Sequence, residues 1–497
     1  MLLYFRMLFL MAISLFTSRV NLQALGVQDF GIYNVIGGVV AMFSMLSGAL
    51  SVSISRNITF ELGRKDLVRL NKVFCTSINI QLMIGLGILV LAETVGVWFL
   101  NNKMVIPADR MYAANWVLQF SILSFLVGLL NVPYNSCIIA HEKMSAFAYI
   151  SILEAVLKLL VAYALYISPI DKLITFGLLL SASSIFLRGI YMSYCKRHFE
   201  ECTYHFVKDK ELLKEMTGFA GWSMFGLVAY TGYTAGLNII LNLFFGPAVN
   251  AARGIATQVE NAIAGFSKNF QMAINPQIIK NFASNDLQRM HTLIFESSKF
   301  AFYLLLCLSL PVIIEAPKVL QIWLGIVPDH TVSFIRLLLI IIIIDSLGSS
   351  ISTAQQATGK IKVYQIVVGG IMLMIVPVAY VFLKLGGNPE TVYWVYLAAV
   401  ILAHICRMYI IRPMIKLSLK EYIIKVIVPI VRVSVLSIIL PILLYCTLPD
   451  NLWSFIVVCG VSVISVLAVT YFWGITTGER QMVNNKISSF YGKFCRR

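Results

Sequence analysis

Charged residues are scarce in this chain. Only 12% of its 497 residues are Asp, Glu, Lys or Arg, whereas water-soluble domains carry roughly 25%. Hydrophobic residues make up 59%, and the mean hydropathy is +0.84. A chain with so few charges cannot bury all of its apolar side chains in the core of a soluble fold. This scarcity predicts that lipid surrounds most of the chain.

Long polar segments are also missing, and no catalytic constellation stands out. None of the six histidines forms a recognisable motif with a nucleophile. A membrane-embedded sugar polymerase or ligase would need a large outer loop, but loops such as residues 101–110 are too short to hold an active site. The sequence therefore predicts no enzyme, no catalytic residue and no cofactor.

The nine cysteines form no disulfide framework, because their number is odd and most lie within apolar runs. Two Cys-x-x-His pairs, Cys195–His198 and Cys202–His205, resemble a zinc site. Only three residues separate the pairs, however, whereas structural zinc sites usually place about a dozen residues between them. We interpret the pattern as fortuitous, and the sequence predicts no metal site.

The formal net charge of +16 is distributed unevenly along the chain. The loops assigned to one side hold most of the cations, including Arg64, Lys65 and Arg69. The opposite loops carry only Arg19, Lys103, Arg110, Lys172, Arg253, Lys318 and Lys384. Such asymmetry follows the positive-inside rule, so the richer side and both termini are predicted to be cytoplasmic. Basic loops beside a bilayer attract anionic lipids, which favours membrane lipids over nucleic acid as partners.

Apolar windows of about 20 residues predict about fourteen membrane spans. They lie near residues 2–18, 31–55, 73–100, 111–140, 146–167, 174–194, 221–245, 251–277, 298–316, 331–356, 363–383, 391–411, 426–446 and 453–474. The longest polar segment falls between the sixth and seventh spans. We therefore expect an N-terminal lobe at 1–194, a cytoplasmic linker at 195–220, a second lobe at 221–411, and two further spans with a basic cytoplasmic tail at 412–497.

A weak internal repeat relates the two lobes. Gly246 lies as many residues after Gly26 as Asp286 lies after Asp66. The tetrapeptides Asp286-Leu287-Gln288-Arg289 and Asp66-Leu67-Val68-Arg69 match in three of four positions. The motifs that begin at Ala140 and Ala357 are separated by nearly the same length of chain. The predicted fold is all-α, with two pseudo-symmetric six-helix lobes and two C-terminal helices.

Charges within spans are costly and are candidates for function. Glu154 and Lys158 are expected to pair at i,i+4, and Arg407 lies near enough to a span end to reach the interface. Arg6 is either a cytoplasmic anchor or a group that faces a water-filled cavity between the lobes. In the second case Arg19, Arg56 and, from the second lobe, Lys268 would add cations suited to a diphosphate. Glu260 and Asp345 are candidate coupling or cavity acids.

The N-terminal stretch resembles a known family. Arg19, the run LGVQDFGIYNV at 25–35, Ser55-Arg56 and Glu61-Leu62-Gly63 are similar to the signature of bacterial polysaccharide transporters, the O-antigen (Wzx-type) flippases. These belong to the MATE-like MOP exporter superfamily. The resemblance implies a V-shaped, two-lobed helical bundle in the bacterial inner membrane. It also implies a cationic cavity formed by Arg6, Arg19, Arg56 and Lys268.

The implied activity is the movement of an undecaprenyl-diphosphate-linked oligosaccharide to the periplasmic leaflet by alternating access. The oligosaccharide would be an O-antigen, capsule or exopolysaccharide repeat unit, and a polysaccharide polymerase or chain-length complex would be the protein partner. The alternatives are a MATE-type cation-coupled multidrug antiporter and a lipid II flippase. An antiporter would be expected to carry acids deep in its N-terminal lobe, but the first two spans contain no Asp or Glu.

Overall fold

The computed structural model describes residues 2–41, 43–102, 104, 106–168, 171–324, 327–449, 451–481 and 484. These residues form helices and loops and contain no strand. The α-helices in chain order are α1 Leu2–Ala41, α2 Ser44–Arg64, α3 Leu67–Leu91, α4 Val97–Asn102, α5 Met111–Ala140, α6 Met144–Ala164, α7 Lys172–His198, α8 Lys210–Phe245, α9 Pro247–Ala283, α10 Leu287–Ile314, α11 Ala316–Leu324, α12 Thr331–Ala357, α13 Lys362–Lys384, α14 Thr391–Ile415, α15 Leu419–Tyr422, α16 Val428–Thr447 and α17 Leu452–Val469. The predicted basic tail from residue 485 onward lies outside the described residues.

Within the described part of the chain, twelve helical stretches are long and apolar enough to cross a membrane. The all-α, multi-pass prediction is therefore confirmed, whereas the predicted count of about fourteen is larger. The two spans predicted at 31–55 and 251–277 fall on α1 with α2 and on α9, and neither is among the twelve. The first of these regions contains residue 42, which lies outside the described residues, and the second carries the charged residues Glu260 and Lys268.

The first span is longer than predicted. The sequence predicts that it ends near residue 18, but the helix continues to Gly26, whose φ of 78° and ψ of 169° interrupt α1. This region of backbone space is accessible almost only to glycine. Gly26 therefore separates the first membrane span from the helical segment that follows it and ends at Ala41.

The predicted repeat recurs in the backbone geometry. Positive φ angles occur at matching positions in the two halves, at the same separations that the sequence repeat shows. The matched pairs are Gly26 (78°) with Gly246 (79°), Lys65 (59°) with Asn285 (59°), and Glu142 (58°) with Gly359 (74°). The same turns therefore occur in both halves, although different residue types form two of them.

The chain divides into two compact units. Unit 1 contains Met1–Val228 and Asn275–Asp286, and unit 2 contains Ala229–Ile274 and Leu287–Arg497. The chain passes between the units inside α8, inside α9 and again between α9 and α10. Residues 210–220 of the predicted linker belong to α8, which begins at Lys210.

A cation holds three helical segments of unit 1 together. Arg110, just before α5, donates to Asp29 of α1 at 2.8 Å (Nε to Oδ1) and to Asp171 at 2.6 Å (Nη1 to Oδ2). Asp171 also caps α7 by accepting from the backbone amides of Leu173 and Ile174. Below this cluster, apolar residues of α1, α5 and α7 pack together. Asp29 belongs to the stretch that carries the family resemblance, and its role here is structural.

In unit 2, a buried ion pair attaches the segment that follows α17 to α10. Lys299 Nζ donates to Glu479 Oε1 at 2.7 Å, and the two side chains are 4% and 8% exposed. The Tyr303 hydroxyl donates to the carbonyl of Gly474 at 3.0 Å. The two C-terminal spans, α16 and α17, therefore pack against α10.

Substitution of Gly26 or Gly246, the two matched glycines with positive φ angles, by alanine should destabilise the protein. No atom lies within 4 Å of a Cβ built at Gly26 or Gly246, so the cost comes from the positive φ alone. We expect a loss of about 1–3 kcal/mol for each variant, measured by thermal unfolding in detergent. Gly31→Ala is the matched control, because Gly31 lies in α1, has the same empty surroundings and lacks a positive φ. Equal thermal stability of Gly26→Ala and Gly31→Ala would contradict the expected cost of a positive φ at position 26.

The contribution of Asp171 should depend on pH. Burial alone would raise the pKa of Asp171, but hydrogen bonds from the Ile174 amide and the Arg110 guanidinium lower it below its ordinary value. A lowered folded-state pKa means that this stabilisation is present above the ordinary value and is lost as pH falls through the folded-state pKa. Asp171→Asn should cost about 1–2 kcal/mol at neutral pH, and the difference from wild type should shrink in acid.

The measurement is thermal unfolding across a pH series. Asp109→Asn is the control, since Asp109 is an exposed carboxylate two residues before Met111. A stability gap between Asp171→Asn and wild type that does not change with pH would show that the Arg110 pairing is not the cause.

Candidate functional site

Arg6 lies in α1 beside a polar cavity of unit 1. Its Nη1 donates to Ser151 Oγ at 3.1 Å, and its guanidinium carbon lies 4.4 Å from the centre of the Phe147 ring. The cavity has a volume of about 400 Å³ and is also lined by Glu154 and Lys158 of α6 and by Ser14 and Thr17 of α1. The guanidinium therefore lies at the wall of a polar cavity within unit 1, and the predicted cavity between the lobes stays a prediction.

A second cavity of unit 1, of about 360 Å³, shares Glu154 and Lys158 with the first. Lys158 Nζ donates to Glu154 Oε1 at 2.7 Å, which is the i,i+4 pair predicted from the sequence. The remaining lining is rich in hydroxyl and aromatic groups: Tyr33, Phe120, Ser121, Ser124, Ser183 and Ser184. The ion pair therefore lies where a cationic cavity meets one suited to neutral hydroxyl-bearing groups.

The other two predicted arginines of unit 1 line neither cavity. Arg19 is exposed, thirteen residues from Arg6 along α1, or about 20 Å. Arg56 of α2 is buried, with its Nη1 2.8 Å from Asn57 Oδ1 and 3.5 Å from Glu215 Oε1. Its guanidinium also packs over the Phe60 ring at 4.6 Å. This pairing favours a structural role for Arg56 over phosphate binding.

The second-lobe candidates lie in unit 2. Glu260 lines a cavity of about 280 Å³ together with Arg253 and the tyrosines Tyr230, Tyr233, Tyr393 and Tyr396. The hydroxyls of Tyr233 and Tyr396 are 2.9 Å apart. Lys268 is exposed on α9, two turns beyond Glu260, and Arg253 lies two turns before it, so the three share one helix face. Lys268 is therefore a surface cation that lies two helical turns from the carboxylate of Glu260.

Asp345 of α12 forms an ion pair with Arg407 of α14, with Oδ1 and Nη1 2.9 Å apart. The Arg407 side chain is 11% exposed, so the expectation that it reaches the membrane interface is wrong. The carboxylate of Asp345 draws it inward, and Gly348, one turn along α12, leaves the space that the guanidinium fills. Asp345 is 47% exposed and remains accessible beside its partner.

Three functional candidates are missed or undervalued by the sequence reasoning. Lys158 is expected only as a partner of Glu154, but it also lines both cavities of unit 1. Arg253 is assigned to an outer loop, yet it is buried in α9 and donates to the Thr234 carbonyl at 2.9 Å. Arg407 is placed at the interface. For Arg253 the available signal is its spacing of seven residues from Glu260, which places both on one face of a helix.

Gly348→Ala should break the Asp345–Arg407 ion pair. A Cβ at position 348 would occupy the place of Arg407 Nη1, the atom that holds Asp345. The guanidinium can move away, but only by leaving the carboxylate, so we expect a loss of about 1–3 kcal/mol in thermal unfolding. Gly370→Ala in α13, where a Cβ meets no atom within 4 Å, is the control. If the mechanism is right, Gly348→Ala should cost little more in an Arg407→Ala background, which a double-mutant cycle measures.

No protein-family model matches the sequence, and no curated protein matches it. Solved structures do match its fold. A MATE transporter in the bent conformation aligns with a TM-score of 0.70 at 16% identity, covering 83% of this chain and 93% of that one. An outward-facing multidrug resistance MATE family transporter of the MOP superfamily gives 0.69 at 16% identity, over 84% and 94%. A MOP superfamily transporter from Pyrococcus furiosus, described as having a binding pocket of reversed polarity, gives 0.67 at 16%, over 84% and 95%. This chain is thus an all-helical, multi-pass membrane protein with the fold of the MATE transporters.

Proposed function

We propose that this protein is a transporter that moves an undecaprenyl-diphosphate-linked oligosaccharide across the bacterial inner membrane by alternating access. The observation that carries the proposal is the position of Arg6, whose guanidinium lies beside a polar cavity together with Lys158. A half-buried arginine is costly in a membrane protein and is therefore a functional candidate. The MATE-like fold supports transport rather than enzymatic chemistry.

The chemistry of the first cavity suits a phosphate group. Guanidinium and ammonium groups bind phosphate oxygens through charge-assisted hydrogen bonds, and arginine can do so with two parallel bonds. Arg6 and Lys158 supply two positive charges against the single negative charge of Glu154, so the cavity is cationic. The hydroxyls of Ser14 and Thr17 add further donors, whereas Ser151 Oγ donates to the Phe147 carbonyl and accepts from Arg6. A diphosphate could displace the lysine from Glu154 or bind to both cations.

The second cavity suits a sugar. Four serine hydroxyls can exchange hydrogen bonds with sugar hydroxyls, and the Tyr33 and Phe120 rings offer flat apolar faces. Because this cavity shares Glu154 and Lys158 with the first, a ligand could place its diphosphate at Arg6 and its first sugar among the serines. The polyprenyl tail would stay in lipid, and only the polar headgroup would need shielding from hydrocarbon.

The polarity of unit 1 favours an anionic headgroup over a cationic drug. The Pyrococcus furiosus transporter is described as having a reversed binding-pocket polarity that suggests a different function. A cationic cavity in this chain supports a comparable departure from drug export. The excess of basic loops supports a cytoplasmic location for both termini and contact with anionic lipids. A polysaccharide polymerase or chain-length complex is the proposed protein partner.

Unit 2 offers the groups for energy coupling. Glu260 lies in a cavity lined by tyrosines, and the accessible carboxylate of Asp345 is paired with Arg407. A carboxylate in such a setting can take up a proton or a small cation when its partner moves. The same cavity is the observation that favours a cation-coupled multidrug antiporter as the second candidate. A lipid II flippase differs from the first proposal only in the sugar carried.

Arg6→Ala should reduce transport strongly without reducing protein abundance. The loss of charge-assisted hydrogen bonds of about 1.5–3 kcal/mol corresponds to a decrease of about tenfold or more. Arg6→Lys should retain part of the activity, and Lys158→Ala should also impair it. The assay follows a polyprenyl-diphosphate-linked sugar in proteoliposomes that contain the purified protein, using a membrane-impermeant reagent. Lys196→Ala, which changes an exposed cation at the end of α7, is the control.

The same variants distinguish the alternatives. Full activity in Arg6→Ala, or an equal loss in Lys196→Ala, would contradict the cationic-cavity proposal. Drug resistance that depends on Glu260 but not on Arg6, in cells that express the protein, would favour the antiporter. Arg19→Ala should be milder than Arg6→Ala, because Arg19 lines neither cavity.

A further inference from the structure

Three buried cysteines from separate parts of unit 1 lie near one another. Cys137 lies in the last turn of α5, Cys195 in the last turn of α7, and Cys202 at the end of the short 3-10 helix Glu200–Cys202. All three are fully buried. The Cys202 sulfur lies within hydrogen-bonding reach of the thiols of both Cys137 and Cys195. The cluster therefore joins two helix ends to the loop that leads towards α8.

A buried carboxylate completes the cluster. The ligand atoms of Cys137, Cys202 and Glu201 all lie within 4.8 Å of one another. The Glu201 side chain is only 2% exposed, and its Oε1 lies 2.6 Å from Nε2 of His141. His141 in turn stacks on Phe199, with ring centres 4.1 Å apart. The Glu201 carboxylate is therefore in reach of both the His141 imidazole and the sulfur atoms of the cluster.

The cluster offers sulfur ligand atoms beside a carboxylate oxygen. The thiolate is the form of cysteine that binds metals. A buried cysteine usually packs as a small apolar side chain, and a neighbouring carboxylate such as that of Glu201 does not stabilise such packing. The group instead combines soft sulfur donors with one oxygen donor.

We propose that Cys137, Cys202 and Glu201, with the nearby Cys195 as the fourth ligand, bind one thiophilic divalent metal ion such as Zn²⁺. Zinc accepts four ligands from thiolate, imidazole and carboxylate groups, with tetrahedral geometry. Magnesium and calcium require oxygen ligands and would not use three sulfurs. The ion would fasten the ends of α5 and α7 to the loop before α8, which Asn71 of α3 also holds by donating to the Glu201 carbonyl at 2.8 Å.

This site differs from the Cys-x-x-His pattern in the sequence, from which no metal is expected. The two histidines of that pattern lie elsewhere: His198 Nδ1 is 2.9 Å from the Tyr194 carbonyl oxygen, and His205 Nδ1 is 3.7 Å from Cys75 Sγ. The cysteines of the pattern instead join Cys137, which lies two helices earlier, in the last turn of α5. The usual spacing between ligand pairs in zinc sites excludes a site made of residues 195–205 alone, and it cannot identify Cys137 as a ligand because that residue lies far away in the sequence.

Metal binding can be tested on the full-length protein purified in detergent under reducing conditions. We expect one equivalent of zinc by elemental analysis, or one equivalent of Cd²⁺ bound with the ultraviolet charge-transfer band of metal–thiolate bonds. Cys202→Ala, and the double variant Cys137→Ala/Cys195→Ala, should weaken binding at least tenfold. Cys307→Ala is the matched control, since Cys307 is a half-buried cysteine of α10 in unit 2.

A second measurement uses only the wild-type protein and so avoids variants that fail to fold. Bound Cd²⁺ should protect Cys137, Cys195 and Cys202 from alkylation in mild denaturant, whereas the exposed Cys446 should be labelled with or without metal. Absence of bound metal after reduction and titration would overturn the proposal. Metal binding that survives the double variant, or equal labelling of the three thiols with and without Cd²⁺, would also overturn it. None of these outcomes depends on the transport proposal.

Discussion

The cost of an unpaired charge in hydrocarbon is the constraint on which this structure depends. Three charges buried in the described helices are held by partners from distant parts of the chain: Arg56 by Glu215, Arg407 by Asp345 and Lys299 by Glu479. Each pair also connects two separate helical segments, so the same interaction that neutralises a charge fixes the packing. Arg6 is held instead beside a polar cavity, where water or a ligand can solvate it. The buried charges that form ion pairs thus belong to the scaffold, whereas Arg6, which faces a cavity, belongs to the candidate site.

A second constraint is the repeated turn geometry. The two halves share few residues, yet they place positive φ angles at matching positions. Glycine occupies both hinge positions, 26 and 246, because the backbone there suits little else. At the other two pairs, Lys65 corresponds to Asn285, and Glu142 corresponds to Gly359, since a left-handed turn accepts several residue types at modest cost. Backbone geometry therefore preserves the duplication better than the sequence does.

The sequence predicts local features well and distant contacts poorly. Apolar windows identify the helices, and i,i+4 spacing predicts the Glu154–Lys158 pair, because both depend on neighbours within two turns. The Arg110 cluster joins groups that lie far apart in the chain, and no periodicity in the sequence marks it. The candidate site is predicted only in part for the same reason. Arg6 stands out as a charge within a span, whereas Arg56 looks equivalent in the sequence and differs only because Glu215 lies beside it.

The cavities of the two units are lined by different chemical groups. This difference is the reason for proposing transport of an anion before export of a drug. The cavities of unit 1 combine Arg6 and Lys158 with serines and aromatic rings, which suits an anionic headgroup followed by sugars. The cavity of unit 2 places Glu260 among tyrosines, which suits a proton or a small cation. A transporter needs both functions, and a duplicated fold can assign one to each copy because each copy keeps its backbone while its cavity residues change. This difference between the cavities adds to the position of Arg6 in supporting the proposed transport of an anion over export of a cationic drug.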